Sequence, residues 1–296
     1  MFLFGGAFPL NNHAIEAREL VYTYEDGTVA LDHISFSAQT GKITGILGSN
    51  GAGKSTLFLN LNGVLTPKSG QVLIDGEPVT YNKKGIQLLR KNVGIVFQDP
   101  DNQLFSADVY RDISFGAINL GLDDAEVRRR VDWAMEKTGI TALKDKPTHA
   151  LSFGQKKRVA IAGILVMEPK IMILDEPTAG LDPQGVSDIM HLLTTIRDHL
   201  NMTIIIATHD MDIVPLYCDD AYLLSGGKMK AYGTPEQLFS NPELLRENHL
   251  RLPRIAHLME ILNKKDGLET EMLVSTISGA RTEIKRMIQE KGYEKR

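Results

Sequence analysis

Short apolar runs alternate with amphipathic stretches along most of this chain. Ile43–Leu47, Val93–Phe97, Ile171–Leu174 and Thr203–Ala207 are each four to six residues long and mostly branched or aliphatic. Such runs suit strands buried on both faces of a sheet. Glu19–Tyr24, Ile34–Ala38, Gln71–Ile74 and Ala221–Leu224 read as further strands. Lys54–Asn62 carries a helical pattern that Gly63 and Pro67 break, and another helix is expected between Leu174 and Thr203. Strands alternating with crossover helices predict an α/β fold whose mainly parallel sheet is covered on both faces. The middle of the chain departs from this. Asp108–Leu120, Asp123–Thr138 and Gly154–Met167 are all helical in pattern, so residues of about 102–165 read as a helical insertion. The charged run Glu126–Arg130 within it reads as a solvated helix face. Beyond about Asn248, Ile255, Leu258, Met259 and Leu262 fall on one helix face. A second helix is expected near Ser278, bringing Ile284, Met287 and Ile288 together. This appendage is too short to bury a core alone, so it should dock on the main domain or on a second copy.

Composition narrows the function classes. The 296 residues are 43% hydrophobic and 24% charged with a formal net charge of −4, which argues against a general basic surface for nucleic acid. The single cysteine, Cys218, allows no intramolecular disulfide and no cysteine-rich metal site, in keeping with a reducing compartment. No stretch reaches the roughly 18–20 apolar residues of a spanning helix. Any membrane role is therefore expected to act through a partner. The first residues start apolar but lack a positive flank, and Gly5, Gly6 and Pro9 interrupt them. Residues 1–16 are expected to be a disordered extension rather than a signal peptide.

Candidate chemistry is concentrated in a few loops. Gly48-Ser49-Asn50-Gly51-Ala52-Gly53-Lys54-Ser55 matches G-x-x-x-x-G-K-[ST] between an apolar strand and a helix. There the glycines let successive N–H groups face phosphates, and the following helix, whose first turn carries Thr56 as a further ATP-binding candidate, adds its positive end. Lys54 would reach the β- and γ-phosphates of ATP, and Ser55 would offer a hydroxyl to Mg²⁺. Asp175, ending the run Ile171–Leu174, is placed to hold a Mg²⁺-bound water. Glu176, next along, is the candidate general base. His191 and His199 are two helical turns apart, too far for one ion, and the remaining histidines show no metal-ligand spacing.

Leu151-Ser152-Phe153-Gly154-Gln155 lies shortly before Leu174-Asp175-Glu176-Pro177. With the phosphate loop, this pairing resembles the nucleotide-binding subunits of ABC transporters over roughly Ala17–Glu247. The resemblance implies a RecA-like P-loop NTPase core with an antiparallel β subdomain and the inserted helical subdomain. Residues 248–296 would be a C-terminal, α-containing extension that aids dimerisation. It implies that Tyr24, thirty residues ahead of Lys54, stacks on adenine, with Tyr22 as competitor. Gln98 would touch Mg²⁺ and water and sense the membrane partner, and His209 would contact the γ-phosphate. Ala179-Gly180-Leu181-Asp182 would cross a dimer interface. Each ATP would lie between one P-loop and Ser152, Gly154, Gln155 and Asp182 of the other copy. Phe153 stands where many ABC proteins have glycine, which raises the question of where its ring packs.

Within the family, Phe97–Phe105, Asp112–Leu122 and the segment beginning Arg251-Leu252-Pro253-Arg254 resemble energy-coupling factor importers. The run from Leu151 to Leu165 and Asp101–Ser106 look most like the cobalt-importer ATPase. That resemblance implies ATP hydrolysis on the cytoplasmic face of the membrane, as a peripheral subunit. The expected partners are a second ATPase copy (or a related ATPase), a transmembrane coupling subunit and a substrate-specific membrane subunit. No contact with nucleic acid or with the transported metal is expected. A vitamin-type importer ATPase and a non-transport soluble ABC ATPase are the alternatives.

Overall fold

The computed structural model describes residues 12–267, 270 and 274–290. In chain order, β1 (His13–Thr23), β2 (Val29–Gln39) and β3 (Ile43–Leu47) lead into α1 (Lys54–Leu61). β4 (Ser69–Ile74), β5 (Glu77–Pro78), α2 (Lys83–Asn92) and β6 (Val93–Val96) follow. Next come α3 (Val109–Asn119), α4 (Asp124–Thr138), α5 (Phe153–Leu165), β7 (Ile171–Asp175), α6 (Pro183–Leu200) and β8 (Thr203–Thr208). Then come α7 (Val214–Tyr217), β9 (Asp220–Ser225), β10 (Lys228–Gly233), α8 (Pro235–Phe239), α9 (Pro242–Glu247), α10 (Arg254–Lys264) and α11 (Ile277–Glu290).

The strands sort into two sheets. One is antiparallel, in the order β2-β1-β4-β5; the other runs β10-β9-β3-β8-β7-β6. In the larger sheet β9, β3, β8, β7 and β6 are parallel, and only β10 is antiparallel to its neighbour. Ile43, Ile46, Leu47, Ile173, Leu174, Ile204, Ile205 and Ile206 are all fully buried. This is why these strands read as continuous apolar runs rather than alternating ones. The carboxyl ends of β3, β6, β7 and β8 therefore lie side by side, the usual ligand edge of an open α/β sheet.

Each face of the sheet packs its own core. One joins Ile46, Ile173 and Ile205 to Leu57 and Phe58 of α1 and to Ile15, Leu20, Ile34 and Phe36 of the small sheet. The other joins Leu174, Ile204 and Ile206 to α6 and to the helical insertion through Ile113, Val131, Met135, Ile161 and Leu165. The insertion's helices are locally well specified. Asp108 and Asp123 cap α3 and α4 by accepting backbone N–H bonds, and Gly139 ends α4 in a left-handed conformation. The run Glu126–Arg130 is indeed a surface face: Glu126 accepts from Arg129 and Arg130, which hold its carboxyl down to about 2.

One boundary differs from the sequence expectation. β1 already begins at His13, pairing His13 with Gln39 and Ile15 with Ala38, so residues 13–16 belong to the small sheet and not to an extension. Buried Ala14 and Ile15 explain this, since their side chains complete the core beneath that sheet. The expectation for residues 1–11 lies outside the described residues. At the other end, Leu250, Leu252 and Ala256 join the main core, while Met259, Ala280 and Met287 form a small cluster between α10 and α11.

Candidate functional site

The turn from β3 into α1 builds the centre of the site. Gly53 occupies the N-cap position of α1 at φ 108°, in the left-handed region, and a Cβ there would sit 2.7 Å from the Ala30 carbonyl oxygen. Only glycine meets both constraints without strain. No side chain caps α1 and its first turn holds no acid. Its N-terminal N–H groups and dipole are thus left for an anion. Lys54 is buried and donates from Nζ to the carbonyl oxygens of Gly48 (2.7 Å) and Ser49 (3.1 Å). Burial pushes its ammonium pKa down, against the pull of Glu176 and Asp175.

Strand β7 delivers the acids. Asp175 Oδ2 accepts from Ser55 Oγ at 2.6 Å, joining the two ends of the phosphate loop and β7. Glu176 follows with a left-handed backbone at φ 48°, a conformation that costs a non-glycine residue about 1–2 kcal/mol. Its N–H donates to the Ala207 carbonyl at 3.1 Å, and Oε2 lies 2.9 Å from His209 Nδ1. Oε1 is buried, makes no hydrogen bond and lies 3.9 Å from Lys54 Nζ. That oxygen therefore keeps its capacity to accept a hydrogen bond.

One cavity of about 480 Å³ is lined by Tyr24, Asn50–Thr56, Gln98, Asp175 and Glu176, while Gly48, Ser49 and His209 lie outside its lining. Tyr24 is 39% exposed, and its hydroxyl lies 2.8 Å from Thr56 Oγ1. Tyr22 packs edge-on against the Tyr24 ring and does not line the cavity, so geometry favours Tyr24 over its competitor. Thr28, Val29, Ala30, Gly226 and Gly227 line it as well. Sequence reading missed them; the Gly-Gly turn between β9 and β10 was the available signal.

The signature residues do not line this cavity. Ser152 is exposed and caps α5: its Oγ accepts from Gln155 N–H, and Gln155 Oε1 accepts from Ser152 N–H. Asp182, also exposed, caps α6 by accepting from Gly185 N–H at 2.7 Å. The Phe153 ring rests against Gly180, where a Cβ would come within 2.9 Å of it. Lys157, on the same helix, was also missed. It is 2% exposed, burial pushes its ammonium down to about 8, and it donates to the Gln98 and Glu176 carbonyls.

The donors suit Mg²⁺. A serine hydroxyl, a carboxylate and the amide of Gln98 are hard oxygen ligands of the kind that bind it together with phosphates. Among the described residues there is no cluster of three or more His, Cys, Asp or Glu that could hold another metal.

Comparison with known proteins agrees with this geometry. Residues 31–179 match the ABC transporter family model. The energy-coupling factor transporter ATP-binding protein EcfA3 of Clostridium perfringens is 58% identical over 93% of this chain and 96% of its own length. The solved structure of cbiO1 from Clostridium perfringens, described as part of the ABC transporter complex cbiONQ, is 59% identical with a TM-score of 0.74. It covers 85% of this chain and 100% of its own. A dimeric bacterial ABC transporter cassette is 25% identical with a TM-score of 0.67, over 75% of this chain and 98% of its own. The chain belongs to the ABC transporter family of ATP-hydrolysing, ATP-binding proteins and, within it, to the energy-coupling factor group.

Proposed function

We propose that this chain powers an energy-coupling factor importer for cobalt by closing and reopening a dimer around two Mg²⁺-bound ATP molecules. The observation that carries the dimer reading is the division of the site. The P-loop, Asp175 and Glu176 share one cavity, while Ser152, Gly154, Gln155 and Asp182 lie outside it. The signature face then acts on a nucleotide held by a second copy. The solved cassette described as dimeric supports that arrangement.

Each residue has a role in this reading. The Tyr24 ring stacks on adenine. The N–H groups from Gly48 to Thr56 surround the phosphates, and Lys54 exchanges its two carbonyl acceptors for phosphate oxygens. Ser55, Asp175 and Gln98 hold Mg²⁺, which neutralises phosphate charge when bound. Glu176 Oε1 accepts the proton of the attacking water. His209, with Nδ1 engaged by Glu176, keeps Nε2 for the γ-phosphate. Across the interface, the Ser152 hydroxyl and Gly154 N–H donate to the same phosphate, and the α5 dipole adds positive potential.

Coupling to a membrane partner needs a docking groove beside Gln98. A cavity of about 880 Å³ lies between α2, β6 and the helical insertion, lined by Leu88, Phe97, Gly116, Ile164 and Met167 among others. Leu88 is 62% exposed and Phe97 40%. Exposed apolar side chains grouped at a groove suit an amphipathic helix of a transmembrane subunit. No described helix is long and apolar enough to cross a membrane. The reading therefore makes the chain a peripheral subunit on the cytoplasmic face, with α10 and α11 holding two copies together between cycles.

The cobalt assignment rests on Asp101–Ser106, on the signature segment and on likeness to cbiO1. Co-expression with the membrane subunits of a cobalt importer tests it, by ATP-dependent uptake of radioactive cobalt into vesicles. Cobalt uptake lost on Glu176→Gln supports the reading. Assembly with vitamin-binding membrane subunits instead overturns the cobalt assignment, and no association with any transmembrane protein overturns the transport role.

A further inference from the structure

The basic run Lys156-Lys157-Arg158 lies on α5. In the fold each of its members bonds a different part of the protein. Lys156 Nζ bonds Asp101 Oδ1 at 2.6 Å, just beyond Gln98, and Arg158 Nη1 donates to the Thr138 carbonyl at 3.0 Å. Lys157 goes deepest. Its Nζ donates to the Gln98 carbonyl at 3.0 Å and to the Glu176 carbonyl at 3.2 Å, and it lies 5.2 Å from the centre of the Phe153 ring.

We infer that Lys157 is a positioning residue, whose buried ammonium ties the signature helix to the backbone of Gln98 and Glu176 at once. Three observations support this. First, an ammonium removed from water must be hydrogen-bonded, and here the two bonded acceptors are main-chain oxygens of the two residues proposed to handle the attacking water. Second, Glu176 has the left-handed backbone of φ 48°. Such a conformation persists only where its surroundings over-determine it. The Ala207 carbonyl holds the Glu176 N–H from one side, and Lys157 shares its C=O with the Ala179 N–H on the other. Third, Phe153 faces both Lys157 and Gly180, so the bulky signature residue closes the remaining side of the ammonium.

The consequence is mechanical. Ser152 begins the helix that carries Lys157, one turn further on. A phosphate of the opposite copy that pulls on Ser152 therefore moves the group that sets the Glu176 backbone of the same chain. Lys157 touches no substrate in this account, and it sits outside the cavity of the P-loop. Its removal should change the rate of hydrolysis and not ATP binding.

This inference rests on the roles proposed for Gln98 and Glu176, so Glu176→Gln is the control. The experiment is steady-state hydrolysis of MgATP by the full-length chain, with the ATP-binding stoichiometry of each variant measured alongside. Lys157→Met keeps the length and loses the donor. It should lower kcat about tenfold or more per bound ATP, the range expected for lost charge-assisted hydrogen bonds. Its KM should stay near the native value, and Lys157→Arg should recover part of the rate. Should Lys157→Met fail to fold, Lys157→Gln replaces it, since an amide still donates two hydrogens but carries no charge. A substituted chain with kcat within twofold of native, beside an inactive Glu176→Gln, overturns the inference alone. An equal fall in rate and ATP stoichiometry, which reports only lost folded protein, overturns it as well. An active Glu176→Gln overturns the reading of the site beneath it.

Discussion

The phosphate-loop half of the site and the signature half are built in opposite ways. In the first, Lys54 and Glu176 are buried, Ser55 and Asp175 bond each other, and the loops converge on a shared cavity. In the second, Ser152 and Asp182 are exposed, and each is occupied in capping a helix of its own. The first half is a container, completed within one chain. The second is an exposed end, formed by the starts of α5 and α6 and outside the lining of that container. On the proposed reading, a single chain thus holds every group of the site without assembling it. Ser152 is also prepared chemically, because its oxygen accepts the Gln155 N–H while its own proton remains available for donation.

The largest expected effect falls on the container. Glu176→Gln should lower ATP hydrolysis by about 100-fold or more, the range for loss of a general base, and ATP-bound dimer should accumulate in sedimentation. Undiminished hydrolysis would remove Glu176 from its role. A smaller effect is expected on the exposed end. Ser152→Asp preserves an N-cap acceptor but removes the donor, so it should cut hydrolysis roughly 10- to 100-fold while a single chain still binds ATP. Loss of that binding, by calorimetry, would mean that the two halves are not separate. The smallest effect belongs to the contact between α5 and the loop before α6. Gly180 is at φ 77°, with the Phe153 ring where a Cβ would go, so Gly180→Ala should lower stability by about 1–2 kcal/mol in thermal unfolding. A variant as stable as native would show that this packing is slack.

The two halves were also unequally legible in the amino-acid sequence. β3, β7 and β8 stand out because burial on both faces leaves them few polar positions, Thr44, Thr203, Thr208 and the strand-ending Asp175. The phosphate loop stands out because glycine spacing, a lysine and a serine are all dictated by phosphate chemistry. By contrast α2 is short and mostly polar, and its inward stripe consists of Ile86 and Leu89 alone, too brief a pattern to stand out. β10 escapes because its burial is broken and Lys228 and Lys230 interrupt it. Lys157 is hidden for a different reason. Only tertiary packing turns one member of a basic run inward, and residues flanking it at 156 and 158 point to other partners. Phe153 is similar: its identity is visible as a departure from the family pattern, but its resting place against Gly180 is a property of the fold.

The division between container and exposed end is tested most directly by mixing two disabled chains. Glu176→Gln lacks a working container and Ser152→Asp lacks a fully working signature, so each alone should hydrolyse ATP at about a tenth of the native rate or less. In a mixed dimer, the intact container of one chain faces the intact signature of the other. An equal mixture, re-formed from monomers, should recover roughly a quarter of native hydrolysis, since half the dimers are mixed and each has one good site. No recovery, with mixed dimers demonstrably present, would mean that each signature serves its own chain and would contradict the account.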